Sequence, residues 1–152
     1  MEIPDVNPLF SRFDHIGVVV RNIDKAIKHY QSLGIGPFVP VTTAVAEKKV
    51  YGKDTEKYGV ELRMARMGQI GIELIQPISG YSTAQEFLDK KGEGINHICF
   101  AVDDIEKEAA RMLDKGFRII SRIKFRDGGG NAYFDTGAVG GVLIELLQQP
   151  PE

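Results

Sequence analysis

Two stretches of this sequence, HIGVVVRNIDK at residues 15–25 and HICFAVDDIEK at residues 97–107, decide how the rest is read. At a spacing of 82 they match His15 with His97, Ile16 with Ile98, Val20 with Val102, Ile23 with Ile105 and Lys25 with Lys107, and the match runs on to Gly34 and Gly116. A second pair, Ile72-Glu-Leu-Ile-Gln76 and Ile144-Glu-Leu-Leu-Gln148, is spaced by 72, so the second copy has a shorter middle. Two copies are too few for a solenoid. The expectation is one domain over residues 1–152 made of two similar modules, about 13–77 and about 95–148.

Each copy opens with a short apolar run rich in β-branched residues, 13–20 and 95–102, the pattern of a strand. A helix follows. Asn22 caps the first, whose stripe is Ile23, Ala26, Ile27 and Tyr30, and Gly34 stands where a left-handed C-terminal residue is wanted. Asp103 or Asp104 caps the second, with Ile105, Ala109, Met112 and Leu113 as its stripe and Gly116 as its stop. Further β segments are expected near 37–46, 58–67 and 69–76, and near 117–125, 131–136 and 141–148. The order in each copy is β-α-β-β-β, an α+β arrangement. A linker helix at about 82–92 starts with the capping-box spacing of Ser82-Thr-Ala-Gln-Glu86 and ends at Gly92-Glu-Gly94. The charged stretch from Glu47 to Lys57 has no apolar period and reads as a mobile loop or the tip of a long hairpin.

The whole chain has 152 residues, 43% hydrophobic and 26% charged, enough for a real core and too apolar for disorder. A net charge of -2 points away from nucleic acid and anionic membranes as partners. Cys99 is the single cysteine, which excludes an internal disulfide and a Cys-rich zinc finger and suits a reducing cytoplasm. Met1-Glu-Ile-Pro-Asp5 has neither a basic stretch nor an apolar core, so no secretory signal is expected, and no apolar run is long enough to span a bilayer.

Four polar residues sit in apolar surroundings. Glu73 lies inside Ile70-Gly-Ile-Glu-Leu-Ile75 and Glu145 inside Val142-Leu-Ile-Glu-Leu-Leu147. A buried unpaired carboxylate costs several kcal/mol, so the fold must compensate each. Alternation puts His15 on one strand face with Gly17 and Val19, and His97 with Cys99 and Ala101, so each imidazole has small neighbours. An imidazole and a carboxylate in each copy point to a shared divalent ion, for which zinc, cobalt, nickel, iron or manganese suit the donors. Two Glu charges offset such an ion. A lone His is more often structural; repetition beside a repeated Glu favours the metal.

The motifs Asp14-His-Ile16, Gly94-Ile-Asn-His-Ile-Cys-Phe-Ala-Val-Asp-Asp-Ile105 and Gly141-Val-Leu-Ile-Glu-Leu146 resemble the vicinal oxygen chelate superfamily, and within it the methylmalonyl-CoA epimerase branch. The resemblance spans about Asp14 to Gln148. It implies paired βαβββ modules whose curved mixed sheet forms a glyoxalase-like cleft, with His15, Glu73, His97 and Glu145 as metal ligands. Cobalt, zinc, nickel or manganese is the implied cofactor. The implied activity is an isomerase's: removal of the C2 proton of a methylmalonyl-CoA-type thioester and its return to the opposite face. Glu145 is the first implied base. Glu61, in Tyr58-Gly-Val-Glu-Leu-Arg-Met-Ala65, is the nearest match to a second, the alternative being a solvated strand residue beside Arg63. A glyoxalase I-like lactoylglutathione lyase, which also has Glu at the position of Glu73, and a non-catalytic ligand-binding protein are the competing functions. The implied partners are a small acyl-thioester and a second copy of the chain, with the cleft built within one chain or across two. Gly128-Gly-Gly130 reads as a turn more readily than as a phosphate cradle, Cys99 as a small buried residue, and His29 as an exposed helix residue.

Overall fold

The computed structural model describes residues 1–4, 7–55 and 59–152. The first copy supplies β1 (Phe13–Val19), α1 (Ile23–Ser32), β2 (Val39–Pro40), β3 (Val45–Val50), β4 (Lys53–Asp54), β5 (Gly59–Met67) and β6 (Ile70–Ser79). After α2 (Thr83–Lys91), the second supplies β7 (Gly94–Ala101), α3 (Ile105–Asp114), β8 (Ile119–Phe125), β9 (Gly130–Phe134) and β10 (Leu143–Gln148). The ten strands form one curled mixed sheet in the order β2-β5-β6-β1-β7-β10-β9-β8-β3-β4. This is the expected glyoxalase-like α+β fold.

The duplication is visible in the pairing. β1 runs parallel to β6, and β7 runs parallel to β10. β1 and β7 join the halves as an antiparallel pair. Each helix starts where the sequence asks: the side chains of Asn22, Ser82 and Asp104 accept from the backbone N–H of Lys25, Gln85 and Lys107. Gly34 and Gly116 follow α1 and α3 with φ of 89° and 91°, a region that favours glycine.

The Glu-x-x-Gln spacing in the repeat has a structural reason. Alternation along β6 sends Glu73 and Ile75 to one face and Leu74 and Gln76 to the other. Gln76 Oε1 accepts the backbone N–H of Ile23 at 2.8 Å, and Gln148 Oε1 accepts that of Ile105 at 2.9 Å. Each glutamine ties the end of its strand to the start of its own helix. Under α1 the buried core holds Val18, Val20, Ile23, Ile72 and Leu74. Under α3 it holds Val102, Ile105, Met112, Phe134 and Leu146. Burying a side chain of this size contributes about 1.5–3 kcal/mol, so the helix-facing side of the sheet carries much of the stability.

Two expectations need correction. The segment 37–46 is not one strand: it breaks into the two-residue β2 and the start of β3. Of the two readings of the charged stretch beginning at Glu47, the hairpin holds and the loop does not, but the hairpin's place was not foreseen. Residues 45–54 form the hairpin β3–β4, which leaves its own half and pairs antiparallel with β8 of the other, Lys48 opposite Ile123 and Val50 opposite Ser121. Its charges suit an edge ribbon, which needs alternating character rather than a helical period. The end of the expected loop, residues 56 and 57, lies outside the described residues. Among the described residues no helix is long and apolar enough to cross a membrane.

Candidate metal centre and cleft

The floor of the cleft is four adjacent strands, β6, β1, β7 and β10, and each contributes one of the four polar residues singled out in the sequence. The register sets them in two rows. Glu73, Gly17 and His97 lie side by side across β6, β1 and β7, and His15, Cys99 and Glu145 lie side by side across β1, β7 and β10. In each row the residue between the two polar ones is small. This leaves room for the rings to lean toward each other. An added Cβ on Gly17 would stand 1.9 Å from Cε1 of His97.

The four side chains converge. His15 Nε2 and His97 Nε2 are 3.1 Å apart. Glu145 Oε2 lies 3.2 Å from the first and 3.0 Å from the second. Glu73 Oε1 is 3.8 Å from both. All four residues are buried.

Behind each imidazole stands the preceding residue. His15 Nδ1 is 2.7 Å from Asp14 Oδ2, and His97 Nδ1 is 3.0 Å from Asn96 Oδ1. Both partners are acceptors, so each Nδ1 donates and each Nε2 turns a lone pair toward the same point. Glu145 Oε1 accepts from Asn131 Nδ2 at 3.0 Å, whereas buried Glu145 Oε2 has no hydrogen-bond donor. Two lone pairs and a bare carboxylate oxygen facing one another is a costly arrangement unless a proton or a cation stands between them. Nitrogen and oxygen ligands about 2.1 Å from one ion, at roughly right angles, stand about 3.0 Å from each other. The donor set therefore fits a divalent ion.

The electrostatics of the metal-free arrangement follow from this crowding. Burial opposes protonation of His15, but its hydrogen bond to Asp14 and the charge of Glu145 outweigh it and lift the imidazole to about 10. Burial works against the charged form of Glu145 too, yet the two histidines hold its carboxyl well below the usual range. Glu73 shifts up, chiefly through burial. Burial also pushes up the Cys99 thiol and, aided by Glu145, the Tyr133 phenol. Tyr133 packs edge-on against His97 with centroids 4.9 Å apart.

Above the floor opens a cleft of about 590 Å³, of a size that takes a small ligand. From β5 its wall receives Val60, Leu62, Met64 and Arg66. Glu61, expected as the second base, is not among them, so the structure does not bring it to the cleft. Glu61 pairs across the sheet with Gln76, whose side chain reaches α1. It therefore points to the helix side, where its carboxylate meets Arg63 Nη2 at 2.5 Å. Asp14, Asn96, Asn131 and Tyr133 were not picked out for roles from the sequence. A signal for two of them was present, since Asp14 and Asn96 precede the histidines at the same spacing of 82. Gly128-Gly-Gly130 is a turn: an added Cβ on Gly129 or Gly130 would stand 2.3 or 2.2 Å from backbone oxygens of Gln148 or Ile123. Cys99 is buried and His29 is exposed.

Comparison with known proteins agrees with this geometry. The chain is 27% identical over 141 residues to the uncharacterized protein YqjC of Bacillus subtilis, covering 91% of this chain and 92% of that protein. It is 28% identical over 153 residues to the mitochondrial methylmalonyl-CoA epimerase of Bos taurus, covering 95% and 79%. A Streptomyces coelicolor methylmalonyl-CoA epimerase variant, solved in complex with 2-nitronate-propionyl-CoA, superposes with a TM-score of 0.69 at 26% identity over 93% of this chain and 99% of that one. Residues 14–134 match the model of one protein family, and this chain belongs to it: the glyoxalase/bleomycin resistance protein/dioxygenase superfamily.

Proposed function

We propose that this protein is a metal-dependent epimerase that moves the C2 proton of a methylmalonyl-CoA-type thioester. The observation that carries the reading is the convergence of His15, Glu73, His97 and Glu145 on one point at the floor of a cleft. The similarity to methylmalonyl-CoA epimerases supports the substrate class. The four residues would hold cobalt, zinc, nickel or manganese, whose ligand preferences match imidazole and carboxylate. When bound, the ion supplies positive charge against the thioester oxygen on which negative charge builds as C2 loses its proton.

The chain's own residues do the rest. Asp14 and Asn96 hold the two imidazoles in the tautomer that presents Nε2. Asn131 holds Glu145 through Oε1, and Oε2 has to swing away from the point shared with the two Nε2 atoms to accept a proton from C2. The apolar side chains of β5 and Ile75 keep water from the carbon while its proton is away. The protein is proposed to work in the cytoplasm as a homodimer.

The test is incubation of the protein, loaded with each metal in turn, with methylmalonyl-CoA in deuterated water. Deuterium at C2 together with inversion is expected. Conversion of a hemithioacetal to a lactoyl thioester, without C2 exchange of methylmalonyl-CoA, would replace this reading with the lyase. Binding with neither reaction would replace it with a non-catalytic role.

A further inference from the structure

The two imidazoles of the floor are held by different residues at the same place in the repeat. Strict alternation would send Asp14 and Asn96 to the helix side, away from the histidines that follow them. The register between β1 and β7 slips at both. Phe13 faces Phe100 but His15 faces Cys99, and Gly17 faces His97 but Val18 faces Ile95. Asp14 and Asn96 are each an extra residue in their strand, a bulge that re-aims a side chain, and both line the cleft.

Holding Nδ1 takes only an acceptor oxygen, which Asp14 supplies at 2.7 Å and Asn96 at 3.0 Å. A carboxylate at position 96 would do this as well, as Asp14 shows. Asparagine brings one thing more, the N–H groups of Nδ2. With His97 Nε2 turned to the shared point, Nδ1 carries the proton, so the amide atom facing it is the oxygen and Nδ2 is left over. Asn96 is 4% exposed, and its Nδ2 has no hydrogen-bond partner. A buried donor without an acceptor is costly, and this one belongs to a residue on the wall of a ligand-sized cleft.

The same cleft receives Ser82, Thr83 and Ala84, the start of α2, a helix that packs against β6, β1 and β7. Ser82 Oγ accepts from the N–H of Gln85, while the N–H groups of Thr83 and Ala84 have no acceptor within the helix. Ala84 packs with Ile75, which lies one row beyond Glu73 on the floor. A helix start favours an anion. We infer that Asn96 Nδ2, with the first turn of α2, forms a subsite for the free carboxylate of the substrate and so selects 2-carboxyacyl thioesters over uncharged acyl thioesters. An acid behind one imidazole and an amide behind the other also break the symmetry of the duplicated floor. An anionic group is turned away from Asp14 and toward Asn96, which fixes one orientation of the substrate.

This inference rests on the epimerase reading for the class of ligand, and its test reads binding rather than turnover. N96D keeps an oxygen for His97 and removes the donor. Metal-loaded wild type and N96D are titrated calorimetrically with methylmalonyl-CoA and with propionyl-CoA, which lacks the carboxylate but keeps every other charge. Metal affinity is measured by competition with a chelator. N96D is expected to lose at least about tenfold in affinity for methylmalonyl-CoA, the worth of a hydrogen bond to a charged group, with little change for propionyl-CoA or the metal. Binding of methylmalonyl-CoA by N96D within tenfold of wild type would overturn the subsite, as would an equal loss of both thioesters. Loss of metal affinity by more than about tenfold would overturn it too, since an oxygen would then not be all that His97 requires of this position. A selective loss in N96D beside a wild type that exchanges no proton at C2 would uphold the subsite and remove the epimerase.

Discussion

Gly17 is the most exposed point of the design to a single methyl group. It sits on β1 directly between Glu73 and His97, and its φ is not in the positive range, so alanine meets no backbone obstacle there. The obstacle is the ring. An added Cβ would lie 1.9 Å from Cε1, 2.3 Å from Nδ1 and 2.5 Å from Nε2 of His97. Comfortable carbon contact needs about 3.5 Å, so the imidazole must withdraw by about 1.5 Å. It has no slack to do so. His97 is fully buried, rests against Tyr133 and is held at Nδ1 by Asn96. Overpacking of this kind costs about 1–3 kcal/mol of stability. Losing one of four ligands is expected to weaken metal binding beyond the roughly 10–100-fold that follows from losing an outer partner. A shift of even about 1 Å lowers turnover about 100-fold. Calorimetric titration of Gly17→Ala with cobalt or zinc, beside a melting curve, measures both effects. A folded Gly17→Ala protein that binds one ion with wild-type affinity would refute the assignment of His97 as a ligand leaning over this glycine.

Glu145→Gln is expected to abolish turnover nearly completely and weaken metal binding, whereas Glu61→Gln leaves both intact and costs about 1 kcal/mol through its half-buried pair with Arg63; elemental analysis and C2 exchange rates check the contrast. Asp14→Ala and Asn96→Ala each lower metal affinity about 10–100-fold through the freed imidazole, measured by competition with a chelator. In metal-free protein, His15 is raised from 6.5 to about 10. Its stabilising contribution is therefore complete below about 6.5 and fades as pH climbs through about 10. Melting temperatures of the metal-free protein are expected to fall across that window while those of the loaded protein fall less, and metal affinity rises over the same range as the competing proton leaves. A loaded protein that tracks the metal-free one at every pH would contradict this.

The halves of the site were legible because duplication repeats a chemical oddity. One carboxylate in an apolar strand is ambiguous, but Glu73 and Glu145, each with a histidine upstream, share one explanation. The fold was legible for the same reason, since caps, stripes and terminal glycines recur in step. Glu61 was not, because its face depends on register. It sits one residue from the cleft-facing Leu62, and only its pairing with Gln76 says which way it turns. The β3–β4 arm was hidden because its partner, β8, lies in the other half of the chain, and periodicity carries no record of a distant partner. The roles of Asp14 and Asn96 needed the direction of Nδ1, which no spacing encodes.

The arm that crosses from the first half to the second makes the two copies inseparable. A fragment spanning only residues 95–148 would retain one imidazole and one carboxylate. It would leave β8 as a bare strand edge inviting another chain, and pairing two such fragments would rebuild the ring of donors without either arm over it. The hairpin that lines the present cavity belongs to the first copy alone among the described residues, so the two halves, alike at the donors, differ at the wall.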